Sequence, residues 1–261
     1  QVKSAVLLAA LQASGTTTVE EPEQSRDHTE AMIRGFGGAV TVNGSNISVN
    51  GGQSLTGQDV LIPGDISSAA FFLVAAALIP GSQVTIRNVG CNPTRDGIVE
   101  ILRLMGAAIE VFNERATAGE KVADFRVTGG KLNGINVGAE WVARTIDEYP
   151  ILAIAAALAD GVTTFSDAKE LRYKESDRIA AMTEGLKTLG VQVEEREDGM
   201  TIHGGGRFKG GAVKSFADHR IAMSFAIAGL VSDGAVEIDD VRCADISFPT
   251  FFDLLEQICL H

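Results

Sequence analysis

Residues 150–190 run PILAIAAALADGVTTFSDAKELRYKESDRIAAMTEGLKTLG, and they hold one copy of a pattern that recurs along the chain. A short apolar helix over 150–159 stops before Gly161, and a strand with period-two alternation spans Val162 to Ser166. A polar loop follows, and an amphipathic helix from Ser176 closes on Gly190. Two further strands, 191-VQVEE-195 and 200-MTIHG-204, finish the copy with turn residues between them. Glycine at the helix exits supplies the left-handed conformation that ends a helix.

The same grammar reads outward from this copy in both directions. Its apolar first helices are 4-SAVLLAALQA-13, 67-SSAAFFLVAAAL-78 and 220-RIAMSFAIAGL-230, followed by strands over Thr16–Glu20, Ser82–Arg87 and Ala235–Asp239. Its second helices open at 25-SRDHTEAMIRGFG-37, 94-TRDGIVEILRLMG-106 and 247-SFPTFFDLLEQI-258, each with Ser or Thr in the position expected to cap the first turn. A closing pair recurs at 39-AVTVN-43 and 46-NISVNG-51. This alternation with antiparallel closure predicts an α/β architecture of repeated subdomains, too long per repeat for a solenoid. The Gly-rich, non-periodic segment 51-GGQSLTGQDVLIPGD-65 is where a domain junction is expected.

Composition narrows the function. The chain has 261 residues, 45% hydrophobic content and a net charge of −12, with no basic stripe to track a nucleic-acid backbone. Every apolar run is broken well before the roughly 18 residues that would suggest a membrane span. Cys91, Cys243 and Cys259 are odd in number and widely spaced, so neither a disulfide framework nor a zinc site is signalled, and a reducing cytoplasm fits. His28, His203 and His261 lack metal-ligand spacing, so no metal is expected. The chain opens at Gln1 with no Met and reads as a piece of something longer.

Polar residues gather in the loops that lead into helices: Ser25-Arg26-Asp27, Thr94-Arg95-Asp96 and Lys174-Glu175-Ser176-Asp177-Arg178. Helix starts carry free N–H groups and partial positive charge, so with Lys and Arg added they suit a small anion. The plainer reading of any one of them is a cap with a surface ion pair. Asp147, just before Pro150, reads as a cap or as a proton acceptor, and Glu175 as a cap, an ion-pair partner or a proton carrier beside two cations. His219 and Arg220 pose the same choice at the mouth of the fourth repeat.

The ordered set 25-SRDHTE-30, 65-DISSAAFFL-73, 90-GCNPTRDG-97, 171-LRYKESDRI-179, 217-ADHRIAMS-224 and 247-SFPTFF-252 resembles the motifs of the 5-enolpyruvylshikimate-3-phosphate synthase family, nearly end to end. The resemblance implies βαβαββ units around pseudo-threefold axes, an inside-out α/β barrel. Residues 1–63 would be the last unit of the first domain, and 64–261 the second domain, with units at about 64–138, 139–208 and 209–261. It implies transfer of the enolpyruvyl group of phosphoenolpyruvate to the 5-hydroxyl of shikimate 3-phosphate, with no cofactor, in a cytoplasmic enzyme that is a monomer when complete. By motif position, Asp147 would accept the hydroxyl proton while touching substrate, and Glu175 would handle the proton at the enol methylene. Gln1, Ser25 and Lys174 would bind shikimate 3-phosphate, and Arg178 and Arg220, with Gln1 shared, phosphoenolpyruvate.

The family's first third, with its Lys-Ser motif and Gly-rich loop, is absent, so the missing N-terminal segment is itself an expected partner. Ile246 stands where some members carry a basic residue. Two rival readings are a UDP-N-acetylglucosamine enolpyruvyl transferase, which would not be expected to carry KESDRI, and a non-catalytic fragment or subunit.

Overall fold

The computed structural model describes residues 1–259; Leu260 and His261, and with His261 one of the histidines weighed as a ligand, lie outside the described residues. Four passes of the repeat are visible in the order of elements. The first is α1 (Val2–Ala10), β1 (Thr16–Glu20), α2 (His28–Gly35), β2 (Val40–Asn43) and β3 (Asn46–Asn50). The second is α3 (Ile66–Leu78), β4 (Gln83–Gly90), α4 (Gly97–Leu104), β5 (Ala108–Thr117) and β6 (Glu120–Thr128). The third begins with β7 (Asn136–Val137), α5 (Ala139–Thr145), α6 (Tyr149–Leu158) and β8 (Val162–Phe165). It continues through α7 (Arg178–Thr188), β9 (Gln192–Arg196) and β10 (Gly199–His203). The fourth has β11 (Gly211–Val213), α8 (His219–Leu230), β12 (Val236–Ile238) and α9 (Phe251–Cys259).

Strand order repeats as well. The sheets run β1-β3-β2, β4-β6-β5 and β7-β8-β10-β9, so in each the last strand of the copy inserts between its two predecessors. The closing hairpins are antiparallel with two-residue turns, Gly44-Ser45 between Asn43 and Asn46 and Glu197-Asp198 between Arg196 and Gly199. Parallel pairing appears where one copy's opening strand meets its next, β7 with β8 and β11 with β12. Single parallel bridges, Gly64 to Val89, Asn133 to Asp160 and Phe208 to Ser232, mark the same junction in three copies.

The chain divides into two compact units. One holds Gln1–Ile66 with Arg87–Asp96 and Val111–Asp124; the other holds Ser67–Ile86, Gly97–Glu110 and the residues from Phe125 onward. The first has a small core of Leu7, Ala10, Leu11, Ile33, Ile47 and Val49. In the second, α6 is buried from Tyr149 through Ala157 and packs on α8. An apolar helix with no polar face is stable only where neighbours cover it all round. Helix α1 is also largely apolar but buries only Lys3, Leu7 and Ala10, leaving Val2 83% and Leu8 55% exposed. No helix among the described residues is long and apolar enough to cross a membrane.

The Ser caps expected at Ser25 and Ser176 are corrected by the structure. Helix α2 starts three residues past Ser25 with Asp27 at the cap position, and α7 is capped by Asp177, whose Oδ1 accepts the Ala180 N–H at 3.0 Å. Asp holds the cap position in both helices, two residues past Ser25 and one past Ser176. Gly190 does exit α7 at φ +87°, and Gly161 turns into β8 at φ +99°, both in the left-handed region that favours glycine.

Helices α7 and α8 meet at Gly185, where an added Cβ would collide with the ring tip of the fully buried Phe225. Although alanine is normally the better helix former, Gly185→Ala is expected to destabilise the fold by about 1–3 kcal/mol through overpacking. Thermal melting checks this, and an unchanged or raised Tm would show that the ring has room to move.

Candidate active site

The third and fourth repeats set their second-helix and first-helix starts side by side, and their charged loops meet there. Arg178, first residue of α7, is only 1% exposed. It donates from Nε to Asp218 Oδ2 at 2.8 Å, and from Nη2 to Asp218 Oδ1 at 3.3 Å and Glu175 Oε2 at 2.6 Å. Its Nη1 is buried without a hydrogen-bond partner and lies 3.6 Å from Asp147 Oδ1. Arg220, in the first turn of α8, donates from Nη1 to the Asp147 backbone carbonyl at 3.1 Å. Its Nη2 stands 3.8 Å from Asp147 Oδ2. Asp147 therefore sits between two guanidinium groups, paired in charge with both at distances too long for good hydrogen bonds to those nitrogens.

Behind this layer is a second carboxylate, Glu148. It is buried, accepts the Ser67 hydroxyl, and lies 4.0 Å from Arg220 Nη1. Glu148, and not Asp147, occupies the cap position of α6, with Pro150 in the first turn. The capping reading of Asp147 is thus set aside, and so is that of Glu175, since Asp177 caps α7. Glu175 keeps its ion-pair reading, and its side chain is 51% exposed. Lys174 is turned toward Glu170, with Nζ 3.0 Å from Oε1.

Gln1 and Ser25 belong to the other unit. Gln1 stands at the start of α1 with no side-chain cap bond, and its carbonyl accepts the Ala5 N–H at 2.9 Å. The Ser25 hydroxyl donates to Glu21, whose other oxygen meets the buried ammonium of Lys3 at 3.0 Å. Lys3 also pairs with the buried Glu30 at 2.7 Å. A cavity of about 440 Å³ in this unit is lined by Lys3, Glu21, Asp27 and Glu30. The structure thus brings Asp147, Glu175, Arg178 and Arg220 together in one unit and holds Ser25 through Glu21 and Lys3 in the other.

Asp218 carries no weight in the sequence reading, although its place directly before His219-Arg220 at a helix start was the available signal. It is fully buried. Burial alone would raise its pKa; the bond and charge of Arg178, the Arg220 N–H and the Ser176 hydroxyl hold it below the usual carboxylate range instead. His219 goes the same way for a different reason, since burial and the neighbouring Arg220 both disfavour its cation. Among the described residues no three His, Cys, Asp or Glu side chains are grouped to hold a metal ion.

The sign of the His219 shift fixes a pH dependence. Its folded pKa lies below the unfolded value of about 6.5, so as pH falls through that value the unfolded chain takes the proton first and stability declines. The decline ends once pH drops below the folded pKa. Melting curves from pH 7.5 to 5 should show a flatter loss for His219→Gln than for the parent; parallel curves would contradict the neutral, buried imidazole.

The family described as EPSP synthase (3-phosphoshikimate 1-carboxyvinyltransferase) matches residues 1–255. The 3-phosphoshikimate 1-carboxyvinyltransferase of Geobacter sulfurreducens is 51% identical over 261 residues, covering 100% of this chain and 61% of that protein. The one of Parasynechococcus marenigrum is 53% identical, covering 99% and 59%. The 2.37 Å structure of EPSP synthase from Acinetobacter baumannii superposes with a TM-score of 0.94 at 48% identity, covering 98% of this chain and 59% of that one. The chain spans about three-fifths of the length of the curated relatives it matches. With the loops at 174–178 and 217–220 meeting as described, the chain belongs to the EPSP synthase family.

Proposed function

We propose that the chain is the larger part of an enzyme that transfers the enolpyruvyl group of phosphoenolpyruvate to the 5-hydroxyl of shikimate 3-phosphate and releases inorganic phosphate. The observation that carries the reading is the Arg178–Asp147–Arg220 arrangement, two guanidinium groups flanking one carboxylate with a buried N–H of Arg178 unspent. An anionic substrate supplies the acceptor that this donor lacks, and charge-assisted hydrogen bonds of this type are the strong ones. The relatives named above, which carry this activity in their names, support the choice of substrates.

In this reading Asp147 accepts the proton of the attacking hydroxyl. As the new C–O bond forms at C2 of phosphoenolpyruvate, Glu175 delivers a proton to the methylene carbon, giving a tetrahedral intermediate. Loss of a proton from the resulting methyl group and departure of phosphate from C2 then restore the double bond. Lys174, Gln1 and Ser25 bind shikimate 3-phosphate, Lys174 exchanging its Glu170 contact for the substrate. No cofactor or metal takes part.

Residues 1–63 belong, in this proposal, to the relatives' first domain and 64–261 form the second, both built around pseudo-threefold axes. The two-fifths of the relatives that this chain does not cover is about two repeats long. It would supply the cover that the apolar face of α1 lacks, completing a cytoplasmic monomer. Activity therefore requires that segment.

The test is phosphate release by the chain combined with the preceding segment of a relative. Release that needs both substrates is expected; none with both present would overturn the proposal. In the active complex Glu175→Gln should lower kcat by about 10²-fold or more with little change in Tm, since the amide keeps the shape but cannot carry the proton. Near-normal kcat would return Glu175 to ion-pairing alone.

A further inference from the structure

A helix cap needs one accepted hydrogen bond, and Asp218 accepts four. Its Oδ1 takes the Arg220 N–H at 2.9 Å and Arg178 Nη2 at 3.3 Å; its Oδ2 takes Arg178 Nε at 2.8 Å and the Ser176 hydroxyl at 3.0 Å. Asp177, the cap of α7 and itself partly exposed, shows the ordinary case: one backbone N–H and one side-chain partner, Arg172 at 2.7 Å. At Asp218, beyond the cap bond from the Arg220 N–H, two of the remaining three go to Arg178, read above as a binding group, and one to Ser176. Two carboxylate oxygens on the Nε and Nη2 edge of a guanidinium fix its plane, because that fork is rigid. With the plane fixed, the direction of Nη1 is fixed too, toward Asp147. The same carboxylate starts α8 and so sets where Arg220 leaves the helix.

We infer that Asp218 is a positioning residue for phosphoenolpyruvate binding: one fully buried carboxylate that aims Arg178 and anchors Arg220, so that both arginines meet one anion without reorganising. The inference rests on the proposed role of those arginines, but its geometric half does not. Asp218 touches no substrate in this account. It acts through Arg178 from the side and through Arg220 from the backbone, with Ser176 holding its second oxygen.

Two measurements on the chain combined with the preceding segment of a relative test it together. The first is exchange of the Arg178 Nε–H with solvent, read by ¹⁵N NMR. The second is titration with phosphoenolpyruvate. Asp218→Asn and Asp218→Ser keep a side chain that caps a helix start, so a cap alone predicts parent-like behaviour. The positioning role predicts exchange at least about tenfold faster and affinity lower by about 10- to 100-fold in both, as for a lost charge-assisted bond. Ser176→Ala, which leaves the ion pair in place, should shift both readouts the same way by a smaller factor, and Asp177→Asn should shift neither. Parent-like exchange and affinity in folded Asp218→Asn would overturn the inference. If the parent itself binds no phosphoenolpyruvate, the reading of the arginines fails, and the exchange rate alone decides whether Asp218 positions Arg178.

Discussion

The ion pair between Arg178 and Asp218, both fully buried with Nε and Oδ2 2.8 Å apart, is the constraint on which the rest of the site depends. Neither charge is tolerable alone in that place: removing one partner of a buried pair typically costs about 3–5 kcal/mol because the other is left uncompensated. The pair joins the first residue of α7 to the cap of α8, and Gly185 lets those helices close against Phe225 below it. Charge and packing thus fix the same two helix starts. The guanidinium that results makes three hydrogen bonds, two to Asp218 and one to Glu175, and leaves Nη1 without a hydrogen-bond partner beside Asp147.

Such a site is built from loops, but the loops inherit rigidity from the repeat. In each complete copy the last strand inserts between the two that precede it, so the strand before the second helix always pairs with the last strand of its copy. The strongly apolar α6 packs on α8 beneath the third and fourth copies, and the charges gather at their helix starts. The first copy uses the same local grammar with a different outcome. Its α1 keeps an apolar face in solvent, while Lys3 is buried between Glu21 and Glu30 and so fixes the partner of Ser25.

Much of this was legible in the sequence because it depends on local periodicity. The strand over Thr16–Glu20 is found where alternation places it, and the apolar helices at 67–78, 150–159 and 220–230 fall within a residue or so of α3, α6 and α8. The convergence of KESDR with DHR was legible only as a resemblance, since nothing in either segment reports that they meet. What local pattern misses is burial and competition between neighbours. Ser25 and Ser176 look like caps by type, yet Asp27 and Asp177 stand closer to the helix starts. Asp218 looks like one more surface acid, and only the packing of α7 on α8 shows that it is sealed from water. Nor does the pattern show that Lys174 pairs with Glu170, four residues back across a 3₁₀ turn.

The account's central claim is that the unspent donor of Arg178 is kept for an anion. A crystal structure of the protein with phosphoenolpyruvate tests this most directly. The account predicts a carboxylate or phosphate oxygen within about 2.7–3.1 Å of Arg178 Nη1, with the Asp218 contacts retained. Phosphoenolpyruvate bound elsewhere, with Nη1 donating to Asp147 or another protein oxygen, would contradict it.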